Sequence, residues 1–473
     1  MPGLLRHFQN RATLRLCGLG VLLCALPALA QAQSAAPTPP APTGFWERQN
    51  LLGDIGGLRP FLDDHGLTLG LSETSEVFGN LTGGTRRGFD YDGLTTMSLT
   101  LDTGKAFGWS GGTLYASALQ IHGRNLSADN LGVLQTLTNI EATPATRLWE
   151  LWFQQSLLGD KADLKIGQQS LDQEFIVSQY GGIFLNAAMG WPVLPAVDQY
   201  AGGPAYPLAA LGVRVRAKPS SVLTVLAGVF DDNPPGGSFS DDSQVRDGEA
   251  SGTRFDLGTG ALFIGEMQYS AARPPFAATA ADLPGTYKIG LWVDTGEFPD
   301  QRFDTAGLSL ASPASTGMPR QHGGNFSLYG IVDQQVWRAV HESRSLGVFA
   351  RLMGAPDDRN LVDWSANFGL NLAAPLPGRN NDTFAIGYDW AHVSSRASAL
   401  DRDIGLFTLM PYPVRGSEHV IELTYRYQIA GWWTVQPDLQ YVINPGGGIA
   451  DPENPSKQVG DELVVGVRTT ITF

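Results

Sequence analysis

From Leu67 to Phe473 the sequence alternates apolar and polar residues, and this period of two constrains the fold more than any other feature. Asp363 to Leu372 sets Trp364, Ala366, Phe368, Leu370 and Leu372 against Asp363, Ser365, Asn367, Gly369 and Asn371. Thr383 to Ala391 sets Phe384, Ile386, Tyr388 and Trp390 against Thr383, Ala385, Gly387, Asp389 and Ala391. Thr434 to Ile443 carries Val435, Pro437, Leu439, Tyr441 and Ile443 on its apolar side. Side chains alternate faces along a strand, so each segment has one apolar and one polar side. About 10 residues is the length a tilted strand needs to cross a bilayer.

Segments of this kind fall at 67–78, 94–103, 113–121, 147–156, 162–169, 209–218, 222–230 and 260–269. A second set falls at 286–295, 326–336, 346–353, 363–372, 383–391, 418–428, 432–443 and 461–473. The total is even, as a closed antiparallel bacterial barrel requires. Connections alternate between long and short, with 170–208, 231–259, 296–325 and 392–417 long, and Pro219-Ser220-Ser221 and Ala430-Gly431 tight. Outer-membrane barrels show this asymmetry between outer loops and periplasmic turns. Leu463, Val465, Val467, Thr469 and Ile471 lead to a terminal Phe473, an ending suited to the outer-membrane assembly machinery. A secreted sandwich or propeller would also alternate, with aliphatic residues turned inward. Here Trp149, Tyr388, Trp390, Tyr425, Tyr427, Trp433 and Tyr441 stand on apolar faces near strand ends, which suits interfacial girdles. The expected fold is an all-β, 16-stranded antiparallel transmembrane barrel over 67–473, the porin architecture. Glu73 breaks the pattern, because it shares the apolar parity of Leu69 and Leu71. A bulge or an interfacial position would account for it.

The N-terminus reads as a secretory signal peptide over 1–32. Arg6, Arg11 and Arg15 precede an apolar run from Leu16 to Leu26, and Ala28-Leu29-Ala30-Gln31-Ala32 allows cleavage after Ala30 or Ala32. Bulky Leu23 before Cys24 argues against lipidation. Residues 33–44 form a Pro/Ala-rich linker. In 45–66, Leu51, Leu52, Ile55, Leu58 and Leu62 recur at helical spacing, interrupted by Gly56, Gly57 and Pro60. They predict a short helical segment at the periplasmic mouth, or one partly plugging it.

Both cysteines, Cys17 and Cys24, lie in the signal, so closure of a barrel must do what disulfides do elsewhere. Without residues 1–32 the chain keeps 29 basic against 46 acidic residues, a net −17 that excludes a nucleic-acid surface. No apolar stretch after the signal is long enough for a membrane helix. G-x-S-x-G, H-E-x-x-H, P-loop and Cys-based metal patterns are absent from the sequence, and no cofactor is expected. Asp231-Asp232-Asn233 and Asp241-Asp242 could hold calcium in an outer loop, although solvated loop charge explains them as well.

Several blocks resemble the carbohydrate-selective porins of the OprB type. They are Asp54-Ile-Gly-Gly-Leu-Arg59, Gly111-Gly-Thr113, Leu119-Gln-Ile-His-Gly123, Leu148-Trp-Glu-Leu-Trp152 with Gln155, and Lys165-Ile-Gly-Gln-Gln169. Phe184-Leu-Asn186, the run from Tyr206 to Arg216, Glu418 to Tyr427, and Gln436 to Pro445 complete the set. No one block is a catalytic signature; their order and spacing carry the likeness. It implies a 16-stranded barrel admitting mono- and disaccharides, narrowed by loops folded into the lumen.

A passive channel needs a constriction whose lining exchanges hydrogen bonds with sugar hydroxyls and packs against the ring's C–H face. The connection 170–208 is expected to fold inward, offering Asp172, Glu174, Asn186 and Trp191. Asn186 and Trp191 could equally brace that loop. Strand parity directs Glu150, Trp152, Arg214, Arg216, Glu266, Trp292, Arg351, Glu422 and Arg426 inward, together with Gln154, Asp294 and Arg468. A charge facing mid-bilayer lipid would cost roughly 2–4 kcal/mol. Each could instead belong to an ion-pair network bracing the wall. The expected partners are small carbohydrates, outer-membrane lipid and the assembly machinery, with a homotrimer as the assembly to test. A general or ion-selective porin, and an outer-membrane barrel enzyme or adhesin, are the competing readings.

Overall fold

The computed structural model describes residues 44–236, 250–273, 283–340 and 342–473. The signal peptide, nearly all of the linker, and Asp241-Asp242 lie outside the described residues. Sixteen antiparallel strands close into one barrel. They are β1 (Leu67–Asn80), β2 (Phe89–Asp102), β3 (Gly112–Gly123), β4 (Ala145–Leu157), β5 (Ala162–Gln169), β6 (Ala210–Ala217), β7 (Leu223–Phe230) and β8 (Leu262–Ala271). The second half comprises β9 (Gly285–Asp304), β10 (Pro319–Arg338), β11 (Ser345–Gly354), β12 (Val362–Ala373), β13 (Thr383–Val393), β14 (Ser417–Ala430), β15 (Trp433–Ile443) and β16 (Glu462–Thr472). Each overlaps one of the expected segments. Closure is made by β1 on β16, in register from Ser72 opposite Thr472 to Asn80 opposite Val464.

The barrel is inside-out relative to a soluble protein. On β12, Trp364, Phe368 and Leu370 are each nearly half exposed on the outer surface. Ser365, Asn367 and Asn371, their neighbours in sequence, are buried inside. This is the order a lipid solvent demands.

Two features depart from the alternation reading, and two more narrow alternatives it left open. First, the expected outer loop 296–325 is largely strand: β9 and β10 run on as a hairpin joined at 305–318. The helix α2 (Ser395–Thr408) of the β13–β14 connection is fastened to it by Arg302 Nε to Asp403 Oδ2 at 2.8 Å. Second, Trp149 does not face lipid. The β3–β4 register slips between Ser117 and Ala118, an extra residue enters β4, and Trp149 swings inward to donate from Nε1 to Leu208 O at 3.2 Å. Third, Glu73 lies outward in an unbroken β1–β2 register, opposite Thr95, so no bulge excuses it. Neighbours satisfy it instead: Thr95 Oγ1 donates at 2.5 Å, Ser75 Oγ at 3.3 Å, and His122 Nε2 stands 3.7 Å away.

Fourth, the segment before the barrel is not inside it. The helix α1 (Leu58–Asp64) rests on the outer face of β1, with Ile55, Leu58 and Leu62 closing a cleft against Leu67 and Leu69. Arg59 ties it down through Nη1 to Leu69 O at 3.1 Å and Nη2 to Phe473 O at 2.9 Å.

The permeation pathway and its candidate constriction

Two connections, both on the side of the long loops, fold into the lumen. The longer, expected at 170–208, spans 170–209; the other, 124–144 between β3 and β4, is not foreseen by the sequence. They meet backbone to backbone, Ala187 N to Thr136 O at 2.9 Å and Asn139 N to Leu185 O at 2.8 Å. Apolar residues fix both to the wall. Leu126, Leu131 and Leu137 of the shorter loop pack with Phe78, Leu185 and Val464. Phe175, Ile176, Trp191, Val193 and Leu194 of the longer loop pack with Phe230, Ile264, Trp292 and Tyr329. Inward-facing apolar side chains on the strands therefore mark where a loop covers the wall.

Several inward charges grip loop backbone. Arg351, about 1 % exposed, donates to four loop carbonyls: Ile176 and Gly190 at 3.0 Å, Ala188 at 2.5 Å and Met189 at 3.1 Å. Glu422 accepts from Leu185 N at 2.6 Å and Asn186 N at 3.1 Å. Glu266 accepts from Ile176 N at 2.8 Å and Tyr329 OH at 2.9 Å. Glu418 accepts from Leu134 N and Gln135 N, both at 2.8 Å. Glu150 accepts from Ser170 N at 3.1 Å. Buried and fully paired, such groups hold a loop in one position.

The loop residues singled out from sequence divide similarly. Asn186 is fully buried; it accepts from Ala188 N at 3.0 Å and donates Nδ2 to Gln440 at 3.0 Å. Trp191 donates Nε1 to Gly202 O at 2.9 Å and is nearly buried, about 8% exposed. Trp292 is wholly covered by the longer loop and does not reach the open space. Glu174 joins Lys165 and Arg214, with Arg214 Nη2 to Glu174 Oε1 at 2.9 Å. Burial pushes the Glu174 carboxyl up, but those two cations outweigh it and hold it below the ordinary range. Arg214 also pairs with Asp163, which Arg216 Nε meets at 2.6 Å. Trp152 lies in the same wall, stacked on Tyr115 at 4.9 Å with Lys165 Nζ 4.3 Å above its ring. Arg426 faces inward and is exposed.

Between the loops and β4 an open cavity of about 440 Å³ remains. Asn139, Trp149, Asp172, Gln173, Trp191 and Tyr206 line it. Asp172 accepts from Ser170 Oγ at 2.6 Å and Tyr206 N at 3.1 Å, and burial pushes its carboxyl up. Trp149 and Tyr206 meet edge to face at 6.2 Å. The site thus offers aromatic surface beside amide and carboxyl groups, a combination that suits a small polyhydroxylated molecule. Among the described residues, no group of acidic, histidine or cysteine side chains is placed to hold a metal.

The sequence reading missed Trp149 and Asn139. A bulge leaves no mark in alternation, so Trp149 could not have been found. Asn139 could have been, because Leu126, Leu131 and Leu137 are out of place in a loop facing water.

The sequence profile of the carbohydrate-selective porin, OprB family, matches residues 86–473. The chain belongs to the OprB family. Porin B of Pseudomonas aeruginosa is 25% identical over 454 residues, covering 92% of each chain. A putative porin, QuiX, of Acinetobacter baylyi is 24% identical over 456 residues, covering 91% of this chain and 94% of its own. The high-pH structure of Pseudomonas putida OprB superposes with a TM-score of 0.78 at 23% identity, covering 91% of this chain and all of that one. Its low-pH structure gives 0.55 at 18%, covering 90% of this chain and 99% of that one. As an OprB-family porin with a closed barrel, the protein is an outer-membrane channel for carbohydrate and not an enzyme.

Proposed function

We propose that the channel passes sugars of mono- and disaccharide size through the space between its two inner loops, after export directed by residues 1–32. The observation carrying this is the 440 Å³ cavity, edged by Trp149 and Tyr206 and by Asn139, Asp172 and Gln173. The aromatic rings take the sugar's C–H face, while the amides and the carboxyl exchange hydrogen bonds with its hydroxyls. Arg216, Trp152 and Arg426 form the charged and aromatic path beyond it. Glu150, Asn186, Trp191, Arg214, Glu266, Trp292, Arg351 and Glu422 act indirectly, by fixing loop position. Such contacts are few enough for rapid release.

Liposome swelling tests the size limit. Proteoliposomes should swell quickly in glucose, more slowly in a disaccharide and not in a tetrasaccharide. Equal rates for all three would mean a general pore set by neither loop. The proposed partners besides sugar are outer-membrane lipid, the assembly machinery reading the strand that ends at Phe473, and two further copies of the chain. The outward cluster of Glu73, Thr95 and His122 supports self-association, since a carboxylate in the apolar band favours a protein neighbour. Light scattering in detergent should give a trimer mass, and a monomer mass would remove that element alone.

A further inference from the structure

The segment 45–64 is fastened outside the pore, yet much of it remains uncovered. Trp432 Nε1 donates to Phe45 O at 3.1 Å, and Leu51 N to Thr472 O at 2.8 Å. Trp46 stacks over Trp432, which stacks in turn on Trp433, at 5.9 and 5.8 Å. Despite these ties, Trp46 is 61% exposed, Phe61 57%, Leu52 51% and Leu58 46%. In water such a surface is unfavourable.

Its position supplies the partner. Leu58 and Leu62 pack against Leu67 and Leu69, and Leu69 belongs to the outward face of β1 that meets lipid. The apolar surface of the segment therefore continues the lipid-facing band without a break. The tryptophan stack lies at the tight Ala430-Gly431 turn, the short-turn end, where aromatic residues settle at a membrane–water boundary. Glu47, Asp54, Asp64 and His65 are exposed and provide the polar edge that an interfacial helix turns to headgroups.

We propose that residues 45–64 are an interfacial anchor seated in the periplasmic leaflet, with phospholipid acyl chains covering Trp46, Leu52, Leu58 and Phe61. The segment neither plugs nor gates the channel. It clamps the seam where β1 meets β16, because Arg59 bridges Leu69 O and the carbonyl of Phe473.

Spin labels test this in the full chain, with Cys17 and Cys24 replaced by serine so that each new cysteine is the only one. Labels go at Leu52, Phe61 and Trp46, all more than half exposed, the last giving up its stack on Trp432. Leu370 serves as the lipid-facing reference and Asp160, in an exposed tight turn, as the aqueous one. The protein is reconstituted in phosphatidylethanolamine–phosphatidylglycerol vesicles, and collision rates with oxygen and with a nickel chelate are compared. All three labels should shift toward the Leu370 reference, reached by oxygen and shielded from nickel. Nickel access like that at Asp160 would place the segment in water and overturn the proposal. An immobile label reached by neither reagent would mean that a second copy covers the segment, which overturns it equally.

Discussion

The barrel wall and the loops inside it are held by opposite means. In the wall every strand is zipped to two neighbours through its backbone, and outward residues such as Leu370 and Ile289 touch little protein. The loops have few backbone ladders of their own. Wall side chains hold them: Arg351, Glu422, Glu418 and Glu266 bond to loop amides and carbonyls. The wall should therefore tolerate side-chain change, whereas the constriction depends on a handful of groups. The lesson is that much of the inward polarity in this sequence reports loop anchoring, and not all of it faces substrate.

The sharpest way to break this contrast is Arg351→Met. It strands four carbonyls, each costing roughly 1–3 kcal/mol if left unpaired. Single-channel conductance should rise severalfold, and blockade by sugar should disappear. The heat-modifiable band on gels, which reports a closed barrel, should persist. Loss of that band would show that wall and loop are one cooperative unit. Glu422→Gln should have a smaller effect of the same kind, since one accepting oxygen survives and a single loop N–H loses its partner, at a cost of roughly 1–3 kcal/mol. Its readout is increased open-channel noise with a modest rise in conductance.

Trp149→Ala sharpens the contrast from the substrate's side. Conductance without sugar should change little, while the half-blocking glucose concentration rises roughly three- to tenfold, on the scale of an aromatic contact. Asp198 offers a test by pH. Its Oδ1 accepts from Leu361 N at 2.7 Å, and burial holds its carboxyl well above the ordinary range. The unfolded chain releases this proton near the free value of about 3.9, so stability falls as pH rises from there through the raised folded value. Asp198→Asn keeps the accepting oxygen and removes the loss. Urea unfolding should find the variant more stable at a pH of about 8 and unchanged at about 3. The smallest effect is expected in the wall, where Leu370→Val should alter stability by less than about 0.5 kcal/mol.

Alternation made the wall legible almost residue by residue, because a bilayer penalises any lapse. The same penalty made the inward parity of Glu150, Arg214, Arg351 and Glu422 readable. Alternation could not reveal what those residues touch. Arg351 and Arg426 share one inward parity, yet one grips four carbonyls and the other stands open. Trp292 was equally misleading, since an inward tryptophan may line a pore or lie beneath a loop, and here it lies beneath. The slip that turns Trp149 inward depends on β3–β4 register, which single-strand patterns do not contain. Glu73 was visible as an anomaly, but its partners Thr95 and His122 come from two other strands.

The most direct measurement is single-channel conductance in a planar bilayer with glucose titrated into the chamber. A narrowed pore with a sugar site predicts stepwise openings whose current falls saturably as glucose rises. Steady openings indifferent to glucose would contradict a sugar site between the loops.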